Sequence, residues 1–208
     1  IEDVVVIDID NTSVGPVEEG GLGRYHNWPH AYHGQLINTV TSGNPKALLF
    51  DIIFDEENTF KYDLVQALSS NNSSKNQDLE YVTDQFLYSN DPSKFVVETR
   101  NSNKTYHAIV FEEEDTLNFL PKMDSEPDGY RFENHIISGI SQEAKNRLPQ
   151  ADRIGNTYVD LLSASVGNGS ANFPQDNDGV IRRAPTAIYF DGADHVYPTL
   201  VMSAVIHI

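Results

Sequence analysis

Two aspartates near the start of the chain have the residue types and spacing best suited to chemistry. Asp8 and Asp10 are one residue apart and precede Thr12, directly after the apolar residues 4–7. At the end of a strand, one such carboxylate could attack phosphorus while the other acts as general acid and base, and both could hold Mg²⁺. The spacing therefore raises phosphoryl transfer as a hypothesis.

This segment resembles the nucleophile motif of the haloacid dehalogenase superfamily of phosphatases. That superfamily also needs a Ser or Thr after a second strand, where this chain has Asp51 or Asp55, and a late acidic pair. The only candidate pair, Asp176 and Asp178, lies before a predicted hairpin. We therefore favour a structural role, in which the early carboxylates accept backbone N–H bonds in a turn or pair with an arginine. A magnesium-dependent phosphatase with Asp8 as nucleophile is the alternative.

The elements that would position these carboxylates form a βαβ unit. The largely apolar runs 4–9 and 47–54 predict two buried parallel strands. Between them, Pro29 and Gly43 predict the limits of a helix, with an apolar stripe of Tyr32, Leu36, Ile37 and Val40. Because the carboxyl ends of parallel strands share one edge, we expect four aspartates to gather there, namely Asp8, Asp10, Asp51 and Asp55.

The rest of the chain predicts further helices and an antiparallel hairpin. Helices are expected around residues 64–68 and 79–86, with an exposed loop at 69–76, and a hairpin from residues 95–99 and 106–111. Residues 112–128 predict an irregular excursion, residues 180–197 an antiparallel pair, and residues from about 198 a helix. The predicted fold is α/β: one domain over residues 1–208 with a mixed, partly parallel sheet covered by helices and an antiparallel hairpin near the C-terminus.

Composition excludes several classes of function. The chain has 31 acidic against 14 basic residues, a formal net charge of −17, which disfavours nucleic acid and anionic lipid as partners. It has no cysteine, so disulfides and thiolate chemistry are excluded.

His30 and His33 have the spacing of metal ligands on a helix, but no third ligand is identifiable, so we expect surface histidines, no metal and no cofactor. Trp28, the only tryptophan, predicts either a pocket wall or core packing.

A series of segments across the chain resembles the type-two CHASE domain family in order and spacing. They comprise the Asp8 to Asp10 segment and residues 27–30, 46–54, 63–68, 176–185 and 197–200. The resemblance spans the chain, although residues 70–150 carry no matching motif. His30 departs from the family, in which an aromatic residue and then an arginine usually follow Trp-Pro.

This resemblance implies an extracytoplasmic sensor that has no catalysis of its own. Members sit outside the membrane of bacterial receptors, between membrane helices, and report to adenylate, guanylate or diguanylate cyclases or histidine kinases. The expected partner is an undefined small molecule or stimulus, and a homodimer is expected from how such receptors signal. The apolar residues at both ends predict a domain excised from a longer receptor, with membrane spans before Ile1 and after Ile208.

The candidate ligand-binding residues are the acidic group, the tryptophan and two late arginines: Asp8, Asp10, Trp28, Asp51, Asp55, Arg182 and Arg183. Clustered carboxylates repel one another unless a cation, protonation or arginine neutralises them. We therefore expect Arg182 or Arg183 to contact at least one of these carboxylates.

Overall fold

The structure is a computed structural model that describes residues 4–57, 64–66, 77–112, 135–172 and 184–207. Within these ranges it combines helices with parallel and antiparallel strands, which confirms the predicted α/β fold. The predicted loop at 69–76, the acidic segment from 113 onward, the 176–179 turn, and Arg182 and Arg183 lie outside the described residues.

A mixed sheet forms the centre of the fold. Its strands are β1 (Leu48–Phe50), β2 (Thr105–Glu112), β4 (Arg153–Asn156) and β5 (Gly167–Ser170). The long strand β2 runs parallel to β1 and β5 and antiparallel to β4. The second predicted strand is thus confirmed in part, as a short strand parallel to β2.

A smaller sheet carries the predicted C-terminal hairpin. It contains β3 (Gln150–Ala151), β6 (Ala187–Phe190) and β7 (His195–Pro198), in the order β3-β6-β7. β6 and β7 are antiparallel, and a 3-10 turn at Asp191–Ala193 joins them. This confirms the antiparallel pair and its turn.

Helices cover both faces of the mixed sheet. They are α1 (His30–Ser42), α2 (Gln77–Asn90), α3 (Ser93–Ser102), α4 (Gln142–Lys145), α5 (Val159–Ala164) and α6 (Leu200–His207). Residues of α1, α3 and α5 pack with Phe50 and Phe54 on one face, and α6 packs on Tyr106 and Ala108 on the other. α1, α2 and α6 match predicted helices, and residues 64–66 are helical as expected. No helix in the described ranges is long and apolar enough to cross a membrane.

The predicted hairpin of residues 95–99 with 106–111 is wrong. The first segment belongs to α3, and only the second is a strand, β2. Phe95 and Thr99 are four residues apart and both buried, so helical spacing places them on one core-facing side. The helix ends at Ser102, and its C-cap Asn103, with a left-handed φ of 47°, turns the chain into β2. Tertiary packing here outweighs the strand propensity of Val and Thr.

The predicted first strand is also wrong. Residues 4–9 form neither helix nor strand, and Val4 to Ile7 are exposed. Strand composition alone does not make a strand, because the backbone must also pair. Without that strand the predicted βαβ unit lacks its first member.

Candidate functional site

The mixed sheet and its covering helices enclose three histidines in a cluster of aromatic rings. His30 and His33 lie on α1, and His107 lies on β2, with exposures of 8%, 4% and 0%. We call this the histidine cluster; its aromatic members are Phe50, Phe54, Phe95 and Tyr158. The expectation that His30 and His33 are surface residues is therefore wrong.

A glycine explains why the helix turns its histidines inward. Gly34 packs so closely on α3 that an added Cβ would lie 3.0 Å from the carbonyl carbon and oxygen of Lys94. This close approach buries the side of α1 that carries His30, His33 and Ile37. The predicted stripe was only partly right, since Ile37 is buried while Tyr32 is half-buried.

The rings of the cluster are in direct contact. His33 meets Phe54 edge-on, with ring centroids 4.9 Å apart, and lies 5.3 Å from Phe95. His107 stacks on Phe50 at 4.9 Å and an interplanar angle of 12°. His30 stacks on Tyr158 at 5.8 Å and 6°. The cluster thus joins α1, α3, β1, β2 and the start of α5.

Burial keeps these imidazoles neutral. Loss of water lowers the pKa of His30 to about 4, an effect that the charge of Asp55 opposes. Desolvation, reinforced by His30, lowers the pKa of His33 to about 4. Desolvation, reinforced by His33, lowers the pKa of His107 to about 3. At neutral pH the three rings are therefore uncharged, and none of them acts as an imidazolium general acid.

His107 is the most enclosed of the three. Its Nε2 lies 3.5 Å from Oγ1 of Thr99, and its Nδ1 makes no hydrogen bond in the described part of the chain. The Tyr158 hydroxyl is likewise buried without a partner among the described residues. Desolvation, with the charges of Glu57 and Asp160, raises the pKa of Tyr158. Polar atoms without partners in a core lower stability.

Trp28 closes one side of the cluster. Its indole Nε1 donates a hydrogen bond of 2.9 Å to the carbonyl of Gly23, and the ring is 7% exposed. Tyr25 meets it edge-on at 5.2 Å, and His33 lies 6.3 Å away. Of the two predicted roles for Trp28, this geometry supports core packing.

The predicted acidic residues are all exposed. Asp51 and Asp55 follow β1, whereas Asp8 and Asp10 lie on the irregular N-terminal segment, so the shared strand edge that should gather them does not form. The backbone N–H and hydroxyl of Ser13 both donate to Oδ1 of Asp10 at 2.8 Å, which holds the pKa of Asp10 below its ordinary value. Asp10 thus accepts hydrogen bonds within its own turn, as expected for a carboxylate with a structural role. In the described part of the chain, no group of three or more acidic, histidine or cysteine side chains could hold a metal ion.

The model of the CHASE2 domain family matches residues 1–208, which is the whole chain. The chain belongs to the CHASE2 family. CHASE2 domains are extracytoplasmic sensory domains of signalling receptors. Searches of curated proteins and of solved structures find no match. The resemblance inferred from the sequence segments is confirmed.

Within this CHASE2 domain, the histidine cluster occupies the position of two of the sequence segments that carried the resemblance. Trp28, Pro29 and His30 belong to one segment, and Phe50 and Phe54 to another. A usable signal was present, because His30, His33 and Ile37 follow the i, i+3, i+7 spacing of a core-facing side. His107 and Phe95 carried no signal, since their pairing depends on how β2 and α3 pack.

Proposed function

We propose that this CHASE2 domain is the stimulus-receiving part of a bacterial transmembrane receptor whose cytoplasmic output domain is a nucleotide cyclase, diguanylate cyclase or histidine kinase. The observation that carries the proposal is the family match over the whole chain.

The histidine cluster supports a sensory role. It connects helices on one side of the sheet to two strands through contacts of neutral polar rings. Protonation or entry of water would lower the stability of such a core, because its imidazoles are packed as neutral, dehydrated rings. We place the response to the stimulus here, and not on Asp8, Asp10, Asp51 or Asp55, which are exposed to solvent.

Topology of the full-length protein provides the first test. Alkaline phosphatase, which is active only outside the cytoplasm, and a fluorescent protein, which matures inside, are each fused after His207 in a bacterial host. We expect phosphatase activity and no fluorescence. Fluorescence without phosphatase activity would contradict the extracytoplasmic location.

Output provides the second test. In membranes that contain the full-length receptor, cyclase or autokinase activity is compared between the parent, Phe54→Ala and the matched surface change Val17→Ala. Phe54 is 5% exposed at the centre of the histidine cluster, whereas Val17 is 68% exposed. We expect only Phe54→Ala to change the basal output. Equal output from all three receptors would separate the cluster from signalling.

A further inference from the structure

The first turn of α1 carries two basic groups where helices favour acidic ones. It consists of His30, Ala31, Tyr32 and His33, so it contains no Asp or Glu. Pro29 stands at the N-cap and its side chain accepts no hydrogen bond. The N–H groups at the start of a helix carry a partial positive charge, which favours carboxylates and disfavours cations there. An imidazolium at His30 or His33 would therefore meet an unfavourable field in the folded chain.

Packing adds two further penalties on protonation of this turn. His30 and His33 are both buried, so an imidazolium at either position would lose its water. Their ring centroids are 6.2 Å apart, so two imidazolium charges would repel each other. Phe54 and Phe95 contact both rings and offer no acceptor for an added proton. At low pH both histidines therefore favour a conformation in which the turn is exposed to water.

The charged and titratable groups packed around this turn include carboxylates, phenols and one ammonium. They are Asp55, Glu57, Asp160, Tyr25, Tyr158 and Lys94. The charge of Asp55 favours protonation of His30, but desolvation has the larger effect on its pKa. Glu57 and Asp160 act on Tyr158, and burial raises the pKa of both phenols, so these stay neutral. Lys94 is a cation and does not stabilise an imidazolium. Counter-charge is therefore outweighed by loss of water in the folded turn.

His107 is held by different elements. It lies on β2, which pairs with β1 on one side and with β5 on the other. Its ring stacks on Phe50 and meets Phe95 edge-on at 5.4 Å, and its Nε2 lies 3.5 Å from Oγ1 of Thr99. None of these contacts involves the first turn of α1, so displacement of that turn would leave His107 covered.

We propose that the first turn of α1 is an acid switch: His30 and His33 take up protons together as the turn separates from Phe54 and Phe95, while His107 stays buried and neutral. One helix carries both histidines, so one displacement hydrates both rings. The proton is then the stimulus that the domain receives, an assignment that rests on the proposed sensory function. The step is reversible, because the rings release their protons when the pH rises and the neutral turn packs again.

Proton linkage sets the size of the effect. Burial lowers the pKa of His30 and of His33 to about 4, against 6.5 for an exposed ring. Between pH 7 and pH 5 each histidine should therefore favour the open turn by about 20-fold, and the two together by about 500-fold. Near pH 5 the logarithm of the opening constant should change with pH by a slope that approaches two, one for each proton.

Hydrogen exchange of the chain at pH 7, 6 and 5 measures this opening constant. In a regular helix the amides of residues 34–37 bond to the carbonyls of residues 30–33, so these amides report on the first turn. Rates are corrected for intrinsic exchange at each pH. We expect the parent to show the two-proton slope, and a parent slope of one or less would overturn the proposal.

Variants assign the two protons to residues. His30→Phe and His33→Phe should each reduce the slope to about one, because each retains a single titrating ring in the turn. His107→Phe should keep the slope of the parent, and so should the matched control His26→Gln, at an exposed histidine. Equal slopes in the parent, His30→Phe and His33→Phe would overturn the assignment, and so would a lower slope in His107→Phe.

Urea separates opening of the turn from unfolding of the whole chain. Exchange of residues 34–37 at pH 5 should depend weakly on urea, because the open turn exposes little additional surface. Exchange of the β2 amides should depend on urea steeply, since β2 lies at the centre of the mixed sheet. The same steep dependence in both segments would show that acid unfolds the entire chain, and the switch would be refuted.

Output of the full-length receptor tests whether the proton is the stimulus. The external pH is changed from 7 to 5 while the internal pH is held at 7, and cyclase or autokinase activity is measured. We expect acid to change the output of the parent and of His26→Gln, and to change that of His33→Phe less. If the parent ignores external pH although Phe54→Ala alters its output, the proton is refuted as the stimulus and the proposed sensory function stands. If neither change alters the output, both fail.

Discussion

Replacing His33 by phenylalanine should remove part of the acid sensitivity of the fold. His33 is 4% exposed and its ring lies among Phe54, Phe95 and Phe50 at centroid distances of 4.9, 5.3 and 6.3 Å. Phenylalanine has a similar planar shape and no titrating nitrogen, so the surrounding packing is retained. The change therefore isolates the contribution of one imidazole.

The magnitude follows from proton linkage. Burial lowers the pKa of His33 from 6.5 to about 4 in the folded state, so at pH 5 the unfolded chain binds the proton and the folded chain does not. Stability is then lost as pH falls from about 6.5 towards 4, and the loss levels off below the folded pKa. Integration from pH 7 to pH 5 gives about 2 kcal/mol for this residue.

His30 and His107 contribute in the same direction, since burial also lowers each pKa. The parent should lose about 6 kcal/mol from the three residues between pH 7 and pH 5, against a usual total of about 5–15 kcal/mol. His33→Phe should lose about 4 kcal/mol over the same interval. Comparing the two proteins removes the contributions of the carboxylates and of His135 to the pH dependence of stability, because both proteins contain these groups.

Urea denaturation at pH 7, 6 and 5 measures this difference. The single buried tryptophan, Trp28, reports unfolding by fluorescence, and circular dichroism provides an independent signal. His26→Gln, at an exposed histidine, is the matched control and should follow the parent. If His33→Phe loses as much stability as the parent between pH 7 and pH 5, or if His33 titrates above pH 6 by NMR in the folded parent, the reasoning is refuted.

Further predictions concern close backbone approach, a helix cap and the alternative catalytic motif. Gly169→Ala should lower the free energy of unfolding by about 1–3 kcal/mol in urea, because the new Cβ would lie 2.6 Å from Cα of Leu200. Asn103→Val should cost about 1–2 kcal/mol by thermal melting, whereas Asn103→Gly should not, since φ is 47° there. With Mg²⁺ and an aryl phosphate, the purified domain should release no more phosphate than Asp8→Asn; turnover abolished by that change would restore the phosphatase hypothesis.

The fold was predictable where local pattern and tertiary packing agree. The helix His30–Ser42 has Pro29 before it and Gly43 after it, and the C-terminal hairpin has an Asp-Gly turn between apolar strands. Prediction failed where pairing decides the outcome. Residues 4–9 and 95–99 both have strand composition, yet one segment remains unpaired and the other is helical. Composition cannot show which backbone groups will find partners.

The candidate site was harder to predict than the fold, because histidine is compatible with both surface and core. The spacing of His30 and His33 was visible, but their burial depends on Gly34, which lets α3 approach α1. His107 joins the cluster only when β2 pairs with β1. This pairing places it opposite Phe50, which lies 57 residues earlier in the chain. Such contacts are set by the fold as a whole, and local pattern does not contain them.

The chemistry of the histidine cluster distinguishes it from a core built only for stability. Phenylalanine at the position of His107 would stack on Phe50 without leaving a buried Nδ1 lacking a hydrogen bond within the described structure. Each imidazole also makes the folded state less stable in acid, which phenylalanine would not do. In acid, polar rings therefore reduce stability at three positions where phenylalanine would not do so. The proposed sensory role of the histidine cluster requires a packed region whose free energy responds to its surroundings, and neutral imidazoles among aromatic rings have that property.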